Sequence, residues 1–389
     1  MKTFTAPDFM FLDAQLSEEE KMIRTSLREY VDAEVLPVIA DHYDKGTFPK
    51  DLIRGLADLG TLGATIPGYG CAGVSYTAYG LMMQELERGD SGVRSFVSVQ
   101  GALCMYPIFR FGTEEQKNKY LPKMARGEWI GCFGLTEPDF GSNPGGMITR
   151  AHRDGNDYVL NGAKMWITNG GMAHVAIVWA KDDNGKVRGF IVDRDTPGFS
   201  VRDIGKKFSL RASVTSELIF EDCRVPASQM LQVEGLKGPF ACLNHARYGI
   251  SWGALGAAMA CYDEALNYAK TRVQFDKPIA GFQLVQAKLV EMFTEITKAQ
   301  LLSLQLGRLK DQDLAQPVHI SMAKMNNVAM ALKIARQARD VLGASGITYE
   351  YQVGRHLLNL ESVNTYEGTE DIHRLILGEH ITGLAAFRS

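Results

Sequence analysis

The sequence predicts an α+β protein in which a helical domain, an antiparallel β domain and a four-helix bundle follow one another. Apolar residues recur at helical spacing over residues 16–128, and again from residue 239 towards the C-terminus. Between these regions, short apolar strands alternate with turn-forming residues, as is typical of a small antiparallel β domain or barrel. The predicted domains are therefore residues 1–128, 129–237 and 238–389.

The composition places the chain among globular proteins and excludes several functions. Its 389 residues, 46% hydrophobic and 22% charged, suffice for two or three domains with sizeable cores. A net charge of −3 gives no basic footprint for nucleic acid or an anionic membrane, and no apolar window is long enough to span a bilayer. The N-terminus matches no signal or transit peptide, which fits a bacterial cytoplasmic protein and equally a trimmed protein of the mitochondrial matrix.

The cysteines and histidines are scattered. None of the six cysteines forms a C-x-x-C pair, and the eight histidines lack the spacing of metal ligands. The sequence therefore predicts reduced thiols, and neither a disulfide framework nor a metal site.

Capping residues mark two helix N-termini. Ser17 followed by Glu20 has the pattern of a capping box at the start of the first helix. Thr369 is predicted to N-cap the last helix, and Glu370 and Asp371 suit the positive end of the helix dipole.

Arg94 and Ser95 stand between a glycine-containing turn and the apolar run Phe96–Phe111. A buried guanidinium requires an anion. One interpretation is an internal salt bridge to Glu85 or Glu87. The other is recognition of a carboxylate on a ligand, which suits the fork of an arginine side chain.

The middle region combines a polar loop with strands. Residues Thr136–Pro144 expose N–H groups and hydroxyls that suit a flavin edge or a phosphate, although most such loops are only turns. Hairpin turns are predicted at Asn161–Ala163 and Asp183–Gly185, and a further strand at Glu217–Phe220. No G-x-G-x-x-G follows a strand, so a Rossmann dinucleotide site is not expected.

Glu367 lies in a short loop between two predicted helices, next to Tyr366 and Gly368. A glycine lets a ligand or another backbone come close. A carboxylate held there away from water has a raised pKa and can act as a base. The alternative is an ordinary solvated loop glutamate.

Five separated motifs together resemble the signatures of the acyl-CoA dehydrogenase family. They are Phe133–Ser142, Trp166–Asn169, Arg272–Gln283, Asp340–Gly346 and Tyr366–Thr369. Each motif is weak alone, but their order and spacing strengthen one another, and the resemblance covers nearly the whole chain. It implies the acyl-CoA dehydrogenase-like α+β fold, assembled as a homotetramer.

The resemblance implies FAD as cofactor. The residues expected to contact it are Phe133, Leu135, Thr136, Gly141, Ser142, Trp166, Ile167, Thr168, Arg272, Phe275, Gln283, Asp340, Val341, Leu342, Gly343, Ala344, Thr369 and Phe387. Trp166 would flank the flavin ring, whereas most strand tryptophans are core residues. Arg272, Phe275 and Gln283 would contact FAD bound to a neighbouring subunit. Asp340 and Ala344 replace the Gln and Gly of many relatives, and aspartate cannot donate hydrogen bonds as glutamine does.

The substrate residues implied by the resemblance are Arg94, Ser95, Ser142, Phe240, Leu243, Asn244, Arg247 and Gly368. Phe240–Arg247 resembles the CoA-binding turn of the family, with Asn244 where many relatives have Asp. The segment Glu85–Ser95 resembles that of the glutaryl-CoA dehydrogenases, in which the matching arginine and serine bind the distal carboxylate of the substrate.

The implied reaction is the FAD-dependent oxidative decarboxylation of glutaryl-CoA to crotonyl-CoA and CO2. Glu367 would be the catalytic base, the β-hydride would pass to flavin N5, and electron-transferring flavoprotein would accept the electrons in lysine and tryptophan breakdown. A short-chain acyl-CoA dehydrogenase without decarboxylation is the alternative if an internal salt bridge occupies Arg94. A flavin-dependent oxidase on this fold and a non-enzymatic helical scaffold are the remaining alternatives.

Overall fold

The computed structural model of the chain describes residues 4–386. Phe387, one of the residues expected to contact FAD, lies outside them. The described residues form helices, then a sheet, then long helices, and the predicted fold class is confirmed.

In the described part of the chain seven α-helices precede the sheet, and the predicted capping box opens the first of them. Ser17 Oγ accepts from Glu20 N at 3.2 Å, and Glu20 Oε2 accepts from Ser17 N at 2.8 Å. One π-helical segment joins α1 to α2 and another joins α5 to α6, at Val31–Val35 and Val99–Met105. The helices are α1 Glu18–Tyr30, α2 Leu36–Lys45, α3 Leu52–Asp58, α4 Tyr76–Gly89, α5 Ser91–Ser98, α6 Tyr106–Phe111 and α7 Glu114–Ala125.

The middle region is one sheet in which most neighbouring strands are antiparallel. The strand order is β6-β7-β3-β2-β4-β5-β8, and β1 pairs with β4. Parallel pairing joins β4 to β1 and to β2, so the sheet is mixed where an all-antiparallel one was predicted. The strands are β1 Gly131–Gly134, β2 Arg150–Asp154, β3 Asp157–Thr168, β4 Val175–Lys181, β5 Val187–Asp193, β6 Phe199–Asp203, β7 Thr215–Pro226 and β8 Met230–Glu234.

One predicted hairpin is wrong and one is confirmed. Asn161–Ala163 lies inside the continuous strand β3, and the turn that precedes this strand falls between Asp154 and Asp157. Gly162 instead marks a register shift against β7, and a Cβ there would lie 2.5 Å from Thr149 Oγ1. A glycine is therefore needed because Thr149 comes close to the backbone of the strand. In sequence, a glycine of this kind looks the same as a turn glycine. The Asp183–Gly185 hairpin joins β4 to β5 as predicted.

Up to residue 386, five α-helices form the C-terminal region, and the first of them also packs against the N-terminal helices. Small residues allow this contact: a Cβ on Gly256 would lie 1.9 Å from the carbonyl oxygen of Gln84, and Gly80 packs against the Trp252 ring. The helices are α8 Lys237–Thr271, α9 Gln283–Asp311, α10 Pro317–Leu342, α11 Val353–Thr365 and α12 Glu370–Thr382, with a ribbon of β9 Val273–Gln274 and β10 Lys277–Pro278. Within residues 4–386, every helix is too short or too polar to cross a membrane.

Candidate active site

The loop between α11 and α12 carries Glu367 in a strained conformation. Glu367 has φ +53°, a left-handed value that costs a residue other than glycine about 1–3 kcal/mol. Thr369 Oγ1 accepts from Ile372 N at 3.2 Å, so the predicted N-cap of α12 is confirmed. The strain lies at one residue of a loop whose two ends are well defined by helices.

Three successive backbone carbonyls of this loop accept hydrogen bonds from buried basic side chains. Lys324 Nζ on α10 donates to the carbonyl oxygens of Tyr366 and Gly368 at 2.8 and 2.5 Å. Arg247 Nε on α8 donates to the carbonyl oxygen of Glu367 at 2.7 Å. These bonds define the backbone of the loop from two helices that are distant in sequence.

The Glu367 side chain is half-buried, and its Oε2 atom is shielded from solvent. Its Oε2 atom has no hydrogen-bond partner among the described residues. Burial raises the pKa of Glu367, against the opposing charges of Arg94, Lys324 and Arg247. The predicted rise in the pKa is confirmed, and the solvated surface glutamate considered as its alternative is not what the structure contains.

Position 368 has no room for a side chain, so a glycine is needed there. Its φ is +92°, and a Cβ there would lie 2.9 Å from His373 Nε2 and 3.3 Å from Arg247 Nη2. Burial lowers the pKa of His373 to about 3, so its imidazole is neutral. The sequence analysis missed His373, although a histidine on the apolar face of α12 was a visible signal.

Arg94 and Ser95 meet this loop through Tyr366. Arg94 is fully buried on α5; its Nε donates to Glu87 Oε2 at 2.6 Å and its Nη2 donates to the Tyr366 hydroxyl. Ser95 Oγ lies 3.2 Å from the same hydroxyl. The internal salt bridge is therefore present, with Glu87 as partner, while Glu85 pairs with other arginines. The guanidinium also faces the residue that precedes Glu367.

Phe240, Leu243, Asn244 and Arg247 lie along one face of α8, because they are spaced by three or four residues. The segment that resembles the CoA-binding turn therefore lies in the first turns of α8, where a helix was predicted from residue 239. Arg247 Nη1 donates weakly to Asn244 Oδ1 at 3.5 Å. The Arg247 side chain thus connects the expected CoA-binding residues to the carbonyl oxygen of Glu367.

A buried ion pair lies beneath the predicted flavin loop. Lys164 Nζ donates to Glu137 Oε1 at 2.8 Å and to the carbonyl oxygen of Leu135 at 3.1 Å. Glu137 also accepts from the backbone N–H groups of Ile148 and Thr149 at 2.7 and 3.0 Å. Burial lowers the pKa of Lys164 to about 8, and Glu137 offsets only part of this effect. The sequence analysis missed this pair.

Trp166 is not a core residue. It is 61% exposed at φ +65°, and the register shift between Lys164 and Ile167 turns it out of the sheet while Ile167 stays buried. Met165 N donates to the carbonyl oxygen of Thr136 at 2.9 Å, which places this strand beside the polar loop. An exposed indole next to a loop of hydroxyls and N–H groups has the chemistry that a flavin ring requires.

A second group of predicted FAD residues lies at the far end of the bundle: Arg272, Phe275, Gln283 and the run 340–344. At about 1.5 Å per residue, roughly 36 Å of helix separates Arg247 from Thr271, which immediately precedes Arg272. Phe275 and Gln283 are exposed there. Tyr268 Oη lies 3.3 Å from Ser345 Oγ, so the residues expected around it share this end: Asp340, Val341, Leu342, Gly343 and Ala344.

Asp340 pairs with Arg339 and donates nothing itself. That Arg272, Phe275 and Gln283 contact FAD bound to a neighbouring subunit stays a prediction.

Comparison with known proteins places the chain in a family. The acyl-CoA dehydrogenase N-terminal, middle and C-terminal domain models match residues 17–128, 132–223 and 234–382. The chain therefore belongs to the acyl-CoA dehydrogenase family, and the predicted resemblance is confirmed. Its activity is that of an acyl-CoA dehydrogenase.

Individual members of the family are similar to this chain over nearly its whole length. Two crystal structures of a glutaryl-CoA dehydrogenase from Mycobacterium smegmatis, one in complex with FADH2, are 52% and 55% identical to this chain. Both have a TM-score of 0.97 and cover 99% of this chain and 100% of theirs. The mitochondrial short-chain specific acyl-CoA dehydrogenase of Homo sapiens is 34% identical over 98% of this chain and 93% of its own length.

Proposed function

We propose that the chain catalyses the oxidative decarboxylation of glutaryl-CoA to crotonyl-CoA and CO2. The observation that carries the proposal is the buried Arg94, which donates to the hydroxyl of Tyr366 beside Glu367. A guanidinium at that position is suited to the distal carboxylate of a dicarboxylic acyl group. The identity of 52–55% to a glutaryl-CoA dehydrogenase supports the same substrate.

The cofactor is FAD, and when bound it accepts the β-hydride of the substrate. The loop Leu135–Ser142 and the segment Trp166–Thr168 would hold the flavin ring, with the exposed indole against one side of it. The Lys164–Glu137 pair keeps this loop in place from the protein side.

Glu367 performs the proton chemistry. The backbone N–H of Glu367 polarises the thioester carbonyl, and the carboxylate removes the α-proton. Oxidation leaves the carboxylate on the γ-carbon of an α,β-unsaturated thioester, so the C–C bond electrons released with CO2 pass into the enoyl thioester and are delocalised as a dienolate. The protonated Glu367 then returns its proton to that dienolate. One hydride and one CO2 thus leave glutaryl-CoA, and the proton removed at first is restored in crotonyl-CoA.

A short-chain acyl-CoA dehydrogenase without decarboxylation is the second candidate. The specific observation in its favour is the salt bridge of 2.6 Å between Arg94 and Glu87, which neutralises the guanidinium inside the protein. The 34% identity to a short-chain specific enzyme also fits it. Under this alternative Arg94 is only part of the core.

Partners and assembly complete the proposal. Electron-transferring flavoprotein would reoxidise the flavin in lysine and tryptophan breakdown. A homotetramer would cover the exposed apolar side chains of the bundle region, which include Phe275, Leu284, Val290, Leu301 and Ile381. The six free cysteines suit a reducing compartment such as the bacterial cytoplasm or the mitochondrial matrix.

Identification of the product tests the proposal. The purified flavoprotein is incubated with glutaryl-CoA and an artificial one-electron acceptor, and the CoA esters are separated by mass. Crotonyl-CoA with CO2 is the expected result. Glutaconyl-CoA alone would indicate a non-decarboxylating relative, and turnover of butyryl-CoA only would favour the short-chain enzyme. Rapid reoxidation by O2 without the acceptor would indicate an oxidase.

A further inference from the structure

Lys324 is the one side chain that bonds carbonyls on both sides of Glu367 among the described residues. It lies on α10, is 1% exposed, and donates to the carbonyl oxygens of Tyr366 and Gly368 at 2.8 and 2.5 Å. The desolvation of an ammonium group is expensive. A buried lysine whose hydrogen bonds go to backbone carbonyls, with no direct bond to a carboxylate, therefore calls for a role beyond charge neutralisation.

The bond to Tyr366 determines where the N–H of Glu367 points. A trans peptide unit is planar, and its C=O and N–H groups point in opposite directions. Because Lys324 holds the carbonyl of Tyr366, the N–H of Glu367 points away from α10. Within residues 4–386 this N–H has no hydrogen-bond acceptor, so it is free for a ligand.

The bond to Gly368 acts on the other side of Glu367. Together with the Arg247 bond to the carbonyl of Glu367 itself, it holds three consecutive carbonyls at defined positions. A left-handed φ of +53° at a glutamate persists only where the surroundings impose it. Lys324 supplies two of the three bonds that impose it.

We propose that Lys324 is a positioning residue of the reaction: it aims the backbone N–H of Glu367 at the thioester oxygen and sets the carboxylate at the α-carbon. It touches neither substrate nor cofactor and acts through the loop Tyr366–Gly368. The inference rests on the proposed role of Glu367, but it holds for any acyl-CoA that the enzyme oxidises.

The test compares Lys324→Met with Lys207→Met in the holoenzyme. Lys207 resembles Lys324 in that its Nζ donates to two backbone carbonyl oxygens, those of Leu210 and Ser213 at 2.9 and 2.7 Å. It also donates to Thr215 Oγ1 at 2.7 Å, and it does not bond to the Glu367 loop. Two ligands are titrated into each protein. Acetoacetyl-CoA is a β-ketothioester that can ionise to an enolate, so its binding reports stabilisation of negative charge on the thioester oxygen, whereas crotonyl-CoA is neutral and reports general binding.

The expected result is selective. In Lys324→Met, kcat and the affinity for the acetoacetyl-CoA enolate fall by roughly 10²-fold, as when an oxyanion donor is lost, while crotonyl-CoA binds within about threefold of the wild type. Lys207→Met should change neither kcat nor the ratio of the enolate affinity to the crotonyl-CoA affinity. If Lys324→Met does not fold, Lys324→Gln, which retains one donor, is scored by the same ratio of enolate to neutral affinity.

Three outcomes would overturn the proposal: an unchanged kcat in Lys324→Met, an equal loss of affinity for both ligands, or the same selective loss in Lys207→Met. The scoring uses whichever acyl-CoA the wild type oxidises. A wild type that fails to decarboxylate glutaryl-CoA therefore refutes the proposed function and leaves the role of Lys324 to be decided separately.

Discussion

Glu137 and Glu367 are both glutamates in buried surroundings near a buried lysine, yet the protein treats them in opposite ways. Burial would raise the pKa of Glu137, but the charge and hydrogen bond of Lys164 and the N–H groups of Thr149 and Ile148 outweigh it, and its pKa lies below the usual range. Burial raises the pKa of Glu367, and the nearby cations do not reverse this. Nearness to a lysine therefore does not decide the protonation of a buried carboxylate.

The difference lies in what each lysine binds. Lys164 donates directly to the carboxylate of Glu137. Lys324 donates to the carbonyls that flank Glu367 and leaves Oε2 without a partner in the described part of the chain. A carboxylate with all its hydrogen bonds made is a structural anchor, whereas one with an unused oxygen can accept a proton from a substrate. Five experiments test this difference between the two glutamates.

The largest effect is expected for Glu367→Gln. The amide keeps the size of the side chain but cannot take a proton, so flavin reduction by any acyl-CoA should slow about 10⁴-fold, at the upper end of the contribution of a positioned base. FAD content and thermal stability should be retained. Stopped-flow absorbance measures the rate, and near-normal reduction in this variant would remove Glu367 as the base.

Glu137→Gln should damage the fold and spare the chemistry. It leaves Lys164 buried without its counter-charge, which we expect to lower the free energy of unfolding by about 3–5 kcal/mol and to weaken FAD retention. Urea unfolding of the holoenzyme measures this loss. The double variant Glu137→Gln with Lys164→Met should recover part of it, and a double variant as unstable as the single one would contradict the account.

The same pair predicts a pH dependence of stability. The folded-state pKa of Glu137 is below its ordinary value of 4.5, so its stabilisation is fully present above that pH and is lost as the pH falls through the folded value. Acid unfolding of the wild type should therefore be steeper than that of Glu137→Gln. Equal slopes would mean that the pair does not contribute.

Arg94→Ala separates the two proposed substrates. If Arg94 binds the distal carboxylate, kcat/KM for glutaryl-CoA should fall roughly 10²-fold more than kcat/KM for butyryl-CoA, since a charged partner is lost from one substrate only. The double variant with Glu87→Gln controls for the buried charge left unpaired. Equal losses on both substrates would assign Arg94 to the core and favour the short-chain enzyme.

The smallest effect is a shift of a pH profile. Because the pKa of Glu367 is raised, the rate of flavin reduction should increase with pH through that raised value, as the base loses its proton. Arg94 is the first of the charges that oppose the rise, so Arg94→Gln should move this limb to higher pH. Glu137→Gln should leave it in place. A limb that moves in neither variant would mean that another group controls the rate.

Local signals were sufficient for much of the fold. The capping residues Ser17 and Thr369 mark the helix starts that they predict, because capping bonds join residues only three apart. The Asp183–Gly185 turn is likewise local. The Asn161–Ala163 prediction failed because Gly162 is needed for the approach of Thr149, a contact from outside the strand.

In the candidate site, too, local features were predicted from the sequence and contacts between separate elements were not. The motif around Glu367 was visible in the sequence, and so was the choice between Glu85 and Glu87 as partner of Arg94. Lys324, His373 and the Lys164–Glu137 pair were not found, because each acquires its role from residues 5 to 44 positions away. A lysine at a helical or strand position has the same appearance in sequence whether it is solvated or buried.

The sequence by itself determined the order of helices and strands, the family motifs and the identity of the candidate base. Only the tertiary structure decided which buried charges are satisfied and which are free. Helix caps and turns depend on neighbours along the chain, so their energetics can be read locally. Desolvation and hydrogen bonds between separate elements determine the pKa of Glu367, the salt bridge of Arg94 and the hydrogen bonds of Lys324. These effects exist only once α5, α8, α10 and the loop after α11 have packed together.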